Sequence, residues 1–303
     1  MEWGQMNSHD ETCWTSTLLD NQKKDHGLMG PAHAASAGGV FMLLIGLAPV
    51  FTFQALGSIN IALALLGIIV FIGGALVPDL DNSRSTVRSA LGFSGSIMSS
   101  IFRATSLMMQ KTVRTKKDTD SPDPHRGFWH TFVGAAVMGL TAWGLSEISY
   151  EVNLPILGVI TLGEIFSIII VVLLLHVALS GLAKDLIKKL DKLPVVGELI
   201  SYIASFIIVI LLFQLIPDDL SFRWIGVCLF GGAAVHILGD ALTRAGVPLF
   251  FPIAGLFTGK CWWNTRFATF EASNEGLNKT ISVLSTISAF VGLGFLIYFF
   301  ISG

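Results

Sequence analysis

Seven stretches of this chain run for about twenty residues or more with almost no charge, at about 35–56, 59–78, 128–148, 154–182, 197–217, 222–241 and 280–302. Roughly 20 apolar residues suffice to cross the hydrocarbon core of a bilayer. No water is available there, so each segment must satisfy its own backbone groups and therefore spans as a helix. The sequence predicts an all-α fold: a polytopic integral membrane helix bundle of about seven spans. Composition agrees, since 13% of the 303 residues are charged against about 25% in soluble domains. A formal net charge of −2 supplies no overall field for a nucleic-acid partner. Cys13, Cys228 and Cys261 are odd in number and form no CxxC pair, which excludes a disulfide framework and a thiolate metal site. The chain is polar up to about Asp25, without the charged-then-apolar pattern of a cleavable signal. The first span is thus expected to direct insertion itself.

Basic residues set the orientation. With a cytoplasmic N-terminus, the arm before the first span and the connections after spans two, four and six face the cytoplasm. These segments hold 18 of the 19 Lys and Arg residues, and only Arg223 falls outside them. The connections also carry interfacial features. The segment 89–117 reads as an amphipathic cytoplasmic helix passing into a basic tail, suited to the membrane surface. Residues 184–194 read as a shorter surface helix. The stretch 246–263 is apolar but interrupted by Pro248 and Pro252, and reads as a re-entrant or interfacial loop. Trp262 and Trp263 read as interface anchors.

Groups with metal-binding chemistry collect at one end of this arrangement. His33 lies near the start of span one, and Asp79 and Asp81 follow span two. His125 and His130 border the start of span three, and His236 and Asp240 share a helix face near the end of span six. All seven fall at the cytoplasmic ends of their spans, although orientation was inferred from Lys and Arg alone. Ionisable groups at membrane depth are costly and mark functional sites. A mixed nitrogen and oxygen donor set suits zinc, manganese or iron, in one or two ions. Gly38-Gly39, Gly73-Gly74 and Gly231-Gly232 lie close to these motifs and let helices approach. His176 is read as a satisfied bundle histidine, and Glu164, the one acid well inside an apolar run, as facing protein. His9 and His26 lie in the polar arm.

The motifs "VPDLDN", "HRGFWHTF" and "HILGDALTRAGVPLFFP" resemble, in order, those of the YdjM-type family of membrane-bound metal-dependent hydrolases. Its pattern is a PDxDH box, an HRGxTH box and an H-x3-D followed by TPAGVPLLWP. The likeness runs from His33 to about Pro252. It implies a polar extension over residues 1–28 and a membrane-embedded metal-hydrolase-like domain over 29–303, in a bacterial inner membrane. Asn82, Trp129 and Arg244 depart from the family pattern. The expected activity is a metal-dependent hydrolase, with a lipid phosphoester as substrate class and the membrane lipid as partner. Asp81, Arg126 and Arg244 are the expected catalytic residues, the two arginines holding a phosphoryl oxygen. The alternatives are a structural metal that joins helices and a divalent-cation transporter. A carrier would place its site near the midplane, commonly between inverted repeats.

Overall fold

A computed structural model of the chain describes residues 29–51, 61–82, 85–118, 126–154, 158–182, 194–216, 221–243, 245–267 and 275–302. The apolar runs fold as α1 (Met29–Phe51), α2 (Ile61–Gly74), α5 (Phe132–Ser146), α6 (Leu162–Leu182), α7 (Pro194–Phe213), α8 (Trp224–Ala241) and α10 (Glu275–Ser302). Between α2 and α5 come the short α3 (Thr86–Ala90) and the longer α4 (Gly92–Thr112), and the loop after α8 holds α9 (Ala254–Thr258). Among the described residues, three stretches are long and apolar enough to cross a membrane: Ala62–Asp81, Leu162–Leu179 and Trp224–Ala241. The stretches Ala32–Leu44, Phe132–Ser146, Leu199–Phe213 and Lys279–Gly294 are apolar but shorter. At 1.5 Å per residue, 15 helical residues cover about 22 Å of a roughly 30 Å core. By length and composition three spans stand among the described residues.

The fourth apolar run also departs from the all-α expectation. Its first part holds a strand, β2 (Gly158–Thr161), paired antiparallel with β1 (Glu151–Leu154) just before it, and α6 begins only after this hairpin. Glu164 explains the switch. Its carboxylate accepts from the Thr161 amide at 2.7 Å and the Thr161 hydroxyl at 2.9 Å, while Thr161 Oγ1 accepts from the Glu164 amide at 3.2 Å. This reciprocal capping box starts the helix at that point, and gives the acid a structural role.

α8 lies against both α2 and α5. Glycines set these crossings. A Cβ at Gly226 would meet the carbonyl of Gly139, and one at Gly139 the carbonyl of Gly226 at 2.7 Å. A Cβ on Gly232 would strike the Phe71 carbonyl, and one on Gly74 would stand 2.9 Å from that of Leu229. With no side chain between them the backbones touch, as small residues permit in membrane bundles. The shared core includes Leu66, Val70, Ala135, Met138, Ile225 and Ala233. Large apolar side chains also cover the outside of α7, among them Ile203, Phe206 and Leu211. Such faces suit a surround of lipid. His176 is tied to Ser201 at 3.0 Å and to the Ala90 carbonyl at 2.7 Å, and stacks on Tyr202. It fastens α3 to the bundle, as a packing histidine does.

The expected interfacial helix is α3 and α4, which break at Gly92 with φ +54°. The segment 246–263 forms turns around α9 and does not cross. Of the surface helix expected at 184–194, residues 184–193 lie outside the described residues. Asp118 joins α4 to the α9 loop. It accepts from the backbone amides of Thr115 at 2.9 Å, Trp262 at 3.2 Å and Cys261 at 3.3 Å. Trp262 is buried, its indole donating to the Val113 carbonyl at 2.6 Å, so the expected anchor is a core residue; Trp263 is the one that faces outward.

Burial alone would raise the Asp118 carboxyl, but the hydrogen bonds from Thr115, Trp262 and Cys261 outweigh it and hold it below its ordinary value. A depressed folded pKa adds stability that is complete above the unfolded value, about 3.9, and is lost as pH falls through the folded one. The Cys261 and Trp262 amides should therefore lose hydrogen-exchange protection in acid, once intrinsic rates are corrected. At neutral pH, Asp118→Ala should cost these amides about 1–3 kcal/mol, on the order of ten- to a hundredfold in protection. Unchanged protection in that variant would show that other contacts hold the loop.

Candidate metal centre

The VPDLD turn is a 3-10 helix, Val77–Asp81, with Leu80 buried between its two carboxylates. Residues three apart eclipse in such a helix, so residues two apart diverge by about 120°. Asp79 and Asp81 consequently straddle one imidazole. Asp79 Oδ1 lies 3.7 Å from His130 Nε2, and Asp81 Oδ2 lies 3.7 Å from His130 Nδ1. The His130 and Asp81 side chains are wholly buried, whereas that of Asp79 is 19% exposed.

His130 ends a second 3-10 turn, Phe128–His130, fixed from both sides. Its amide donates to the Gly127 carbonyl at 3.1 Å. The next residue, Thr131, caps α5: its hydroxyl accepts from the Gly134 amide at 2.9 Å and donates to the Phe128 carbonyl at 2.7 Å. Trp129, the departure from the family pattern, sends its indole N–H to the Phe102 carbonyl at 2.9 Å. The turn is thereby bound to α4.

From α8 come His236 and Asp240, one turn apart. His236 Nε2 lies 3.3 Å from His130 Nε2, 3.6 Å from Asp79 Oδ1 and 3.6 Å from Asp240 Oδ2. Asp240 Oδ2 is also 3.6 Å from His130 Nε2. The carboxylate–imidazole separations are too long for hydrogen bonds, which close at about 2.7–3.2 Å. They match another geometry. Ligand atoms around a tetrahedral ion with bonds of about 2.0–2.2 Å stand roughly 3.3–3.6 Å apart. His130 Nε2, His236 Nε2 and Asp79 Oδ1 stand 3.3–3.7 Å from one another, close to that spacing.

The second oxygen of Asp240 serves a second group. Oδ1 lies 3.5 Å from His33 Nε2 and 3.9 Å from Arg126 Nη2. The His33 ring stacks on His236 with centroids 4.0 Å apart. Gly239 makes room for it, since a Cβ there would stand 2.9 Å from His33 Cε1. Arg126 is positioned by Thr243 Oγ1, which accepts from Nη1 at 3.0 Å. Two overlapping sets, His33, His236 and Asp240, and Asp79, His130 and His236, could each hold a metal ion.

Six of the seven expected ligands therefore come together. Asp81 belongs to neither set and faces the outer nitrogen of His130, where a carboxylate orients a ligating ring. His125 and Arg244 lie outside the described residues. Gly239, Thr131 and Thr243 escaped the sequence reading. A threonine directly after the histidine and a glycine inside H-x3-D were the available signals, but their meaning depends on neighbours distant in sequence.

A family model described as YdjM inner membrane protein matches residues 28–189, more than half of the chain. The matched region holds His33, Asp79, Asp81 and His130 and ends before His236 and Asp240. No curated protein and no solved structure matches the chain. The family description and the apolar helices both fit insertion in an inner membrane.

Gly239→Ala tests the second group. It gains up to about 1 kcal/mol of helix propensity but should displace the His33 ring from Asp240. Zinc affinity, measured by chelator competition, should fall as it does in His33→Ala, with no loss of melting temperature. Wild-type affinity in Gly239→Ala beside reduced affinity in His33→Ala would show that the ring tolerates the added methyl.

Proposed function

Because this chain belongs to the YdjM inner membrane protein family, we propose that it is a membrane-bound metal-dependent hydrolase cleaving a phosphoester of a lipid or other amphiphile. The observation that carries the reading is the division of Asp240 between two donor groups. One is the set Asp79, His130 and His236, with Asp240 Oδ2 3.6 Å from both histidine Nε2 atoms; the other joins Oδ1 to His33, beside the Arg126 guanidinium. Asp79, His130 and His236 would hold the first ion, zinc best and manganese or iron also by donor chemistry. When bound, such a metal polarises a phosphoryl oxygen and supplies a hydroxide nucleophile near neutral pH. Asp81 keeps His130 oriented, a positioning role in place of ligation. Arg126, held by Thr243, offers a guanidinium for a phosphoryl oxygen, the role also proposed for Arg244.

A structural reading has its own support, because the five residues of the two overlapping sets offer enough donors to close a site. The second group favours catalysis: an ion held by one histidine nitrogen and one carboxylate oxygen would keep coordination positions for substrate, beside the Arg126 guanidinium. Purified protein should contain at least one transition metal per chain, lost in His130→Ala and His236→Ala. Arg126→Lys should retain the metal and the fold yet lower phosphoester turnover, since an ammonium lacks the two-pronged contact. Fully metallated wild-type protein inert toward phospholipids and generic phosphoesters would favour the structural reading.

The proposed topology is seven spans with the N-terminus and the metal centre cytoplasmic. It rests on the 18 of 19 basic residues assigned to one side. In intact cells, an impermeant thiol reagent should label Ser221→Cys and spare Lys116→Cys. Labelling at Lys116→Cys would reverse the orientation.

A further inference from the structure

The two non-spanning elements beside the metal centre carry large apolar side chains outward, although Phe102 of α4 turns in to stack on Trp129. On α4, Phe93, Ile97, Ile101 and Met108 are exposed along one face, Phe93 to 83%. The face turned inward holds Gly95, Ser99, Ser106 and Gln110. A helix bordering water shows the opposite order, with its polar side out. On α9, Leu256 and Phe257 are 82% and 84% exposed, beside the exposed Ile253.

These elements are joined. Besides the Asp118 hydrogen bonds, the Thr115 hydroxyl donates to the Gly259 carbonyl at 2.7 Å. They are also tied to the centre. Ser106 Oγ accepts from the Phe128 amide at 3.1 Å, and Phe251, just before α9, stacks on Trp262 and meets Phe128 edge-on. Charge identifies what covers the apolar ridge. Residues 82–117 contain no acid, and Arg103, Lys111, Arg114, Lys116 and Lys117 are all exposed.

We propose that α4 and α9 form one platform inserted into the headgroup–acyl boundary of the leaflet on the metal-centre side, with the basic collar bound to anionic phospholipid. Apolar burial holds the ridge in the acyl region, while the collar selects the headgroup. The inference does not rest on the hydrolase reading, and its test measures no turnover. Full-length protein is reconstituted in vesicles of phosphatidylcholine and phosphatidylglycerol. Phe93 and Phe257 are replaced in turn by photoreactive p-benzoylphenylalanine, which their exposure permits without disturbing the core. Irradiation should give phospholipid adducts at both positions, with phosphatidylglycerol enriched over its bulk share by about fivefold or more, on the order of one lysine's preference. Combining Lys111→Gln, Lys116→Gln and Lys117→Gln should bring that enrichment toward the bulk ratio. A cross-linked dimer would make the ridge an interface between copies and overturn the proposal. Water-quenched probes without adducts, or enrichment unchanged by the three substitutions, would also overturn it.

Discussion

Buried carboxylates at the end of an apolar bundle are the constraint on which this structure depends. Asp81 and Asp240 are almost fully enclosed, and an ionised group taken from water costs several kcal/mol unless opposite charge and hydrogen bonds offset it. Here the compensation is local. His130 stands between Asp79 and Asp81, while His33, His236 and Arg126 surround Asp240. A divalent cation would offset such charge more fully than imidazoles can, and each of the two donor sets could hold one.

That arrangement needs backbones in near contact. The donor groups come from α1, α8 and the turns flanking α2 and α5. Atoms from these elements meet within 3.7 Å because Gly139, Gly226, Gly74 and Gly232 remove the side chains that would separate the helices. The glycines of a membrane bundle here decide the distance between ligands as well as its stability. The same economy appears at Gly239, where a missing methyl admits His33.

The non-spanning segments complete the centre from outside. Trp129 binds α4 to the turn that ends in His130, and Asp118 binds α4 to the α9 loop. Arg126 opens the same stretch of chain and is secured by Thr243 and the Gly246 carbonyl. Substitutions in α4 or the α9 loop should therefore act on the centre through the Phe128–His130 turn.

Much of this was legible in the sequence. The apolar runs foretold the helices, because length without charge has few other solutions. The positions of His33, Asp79, His130, His236 and Asp240 foretold a common end, since antiparallel helices return to the same depth. Other features were decided by tertiary structure. The hairpin before α6 was hidden because β2, Gly158–Thr161, runs straight into the apolar helix, and only the Thr161–Glu164 cap separates them. Trp262 read as an anchor because an indole beside a membrane can face either way; the Val113 carbonyl and the Phe251 ring turn it inward. Asp79 and Asp81 read alike because spacing alone cannot tell a turn that aims two carboxylates together from one that parts them, here to opposite sides of His130. The sequence determined which residues meet at one end of the bundle, through length, charge and spacing along single segments. Which oxygen faces which nitrogen was left to the packing of helices, because that depends on angles between elements far apart in the chain.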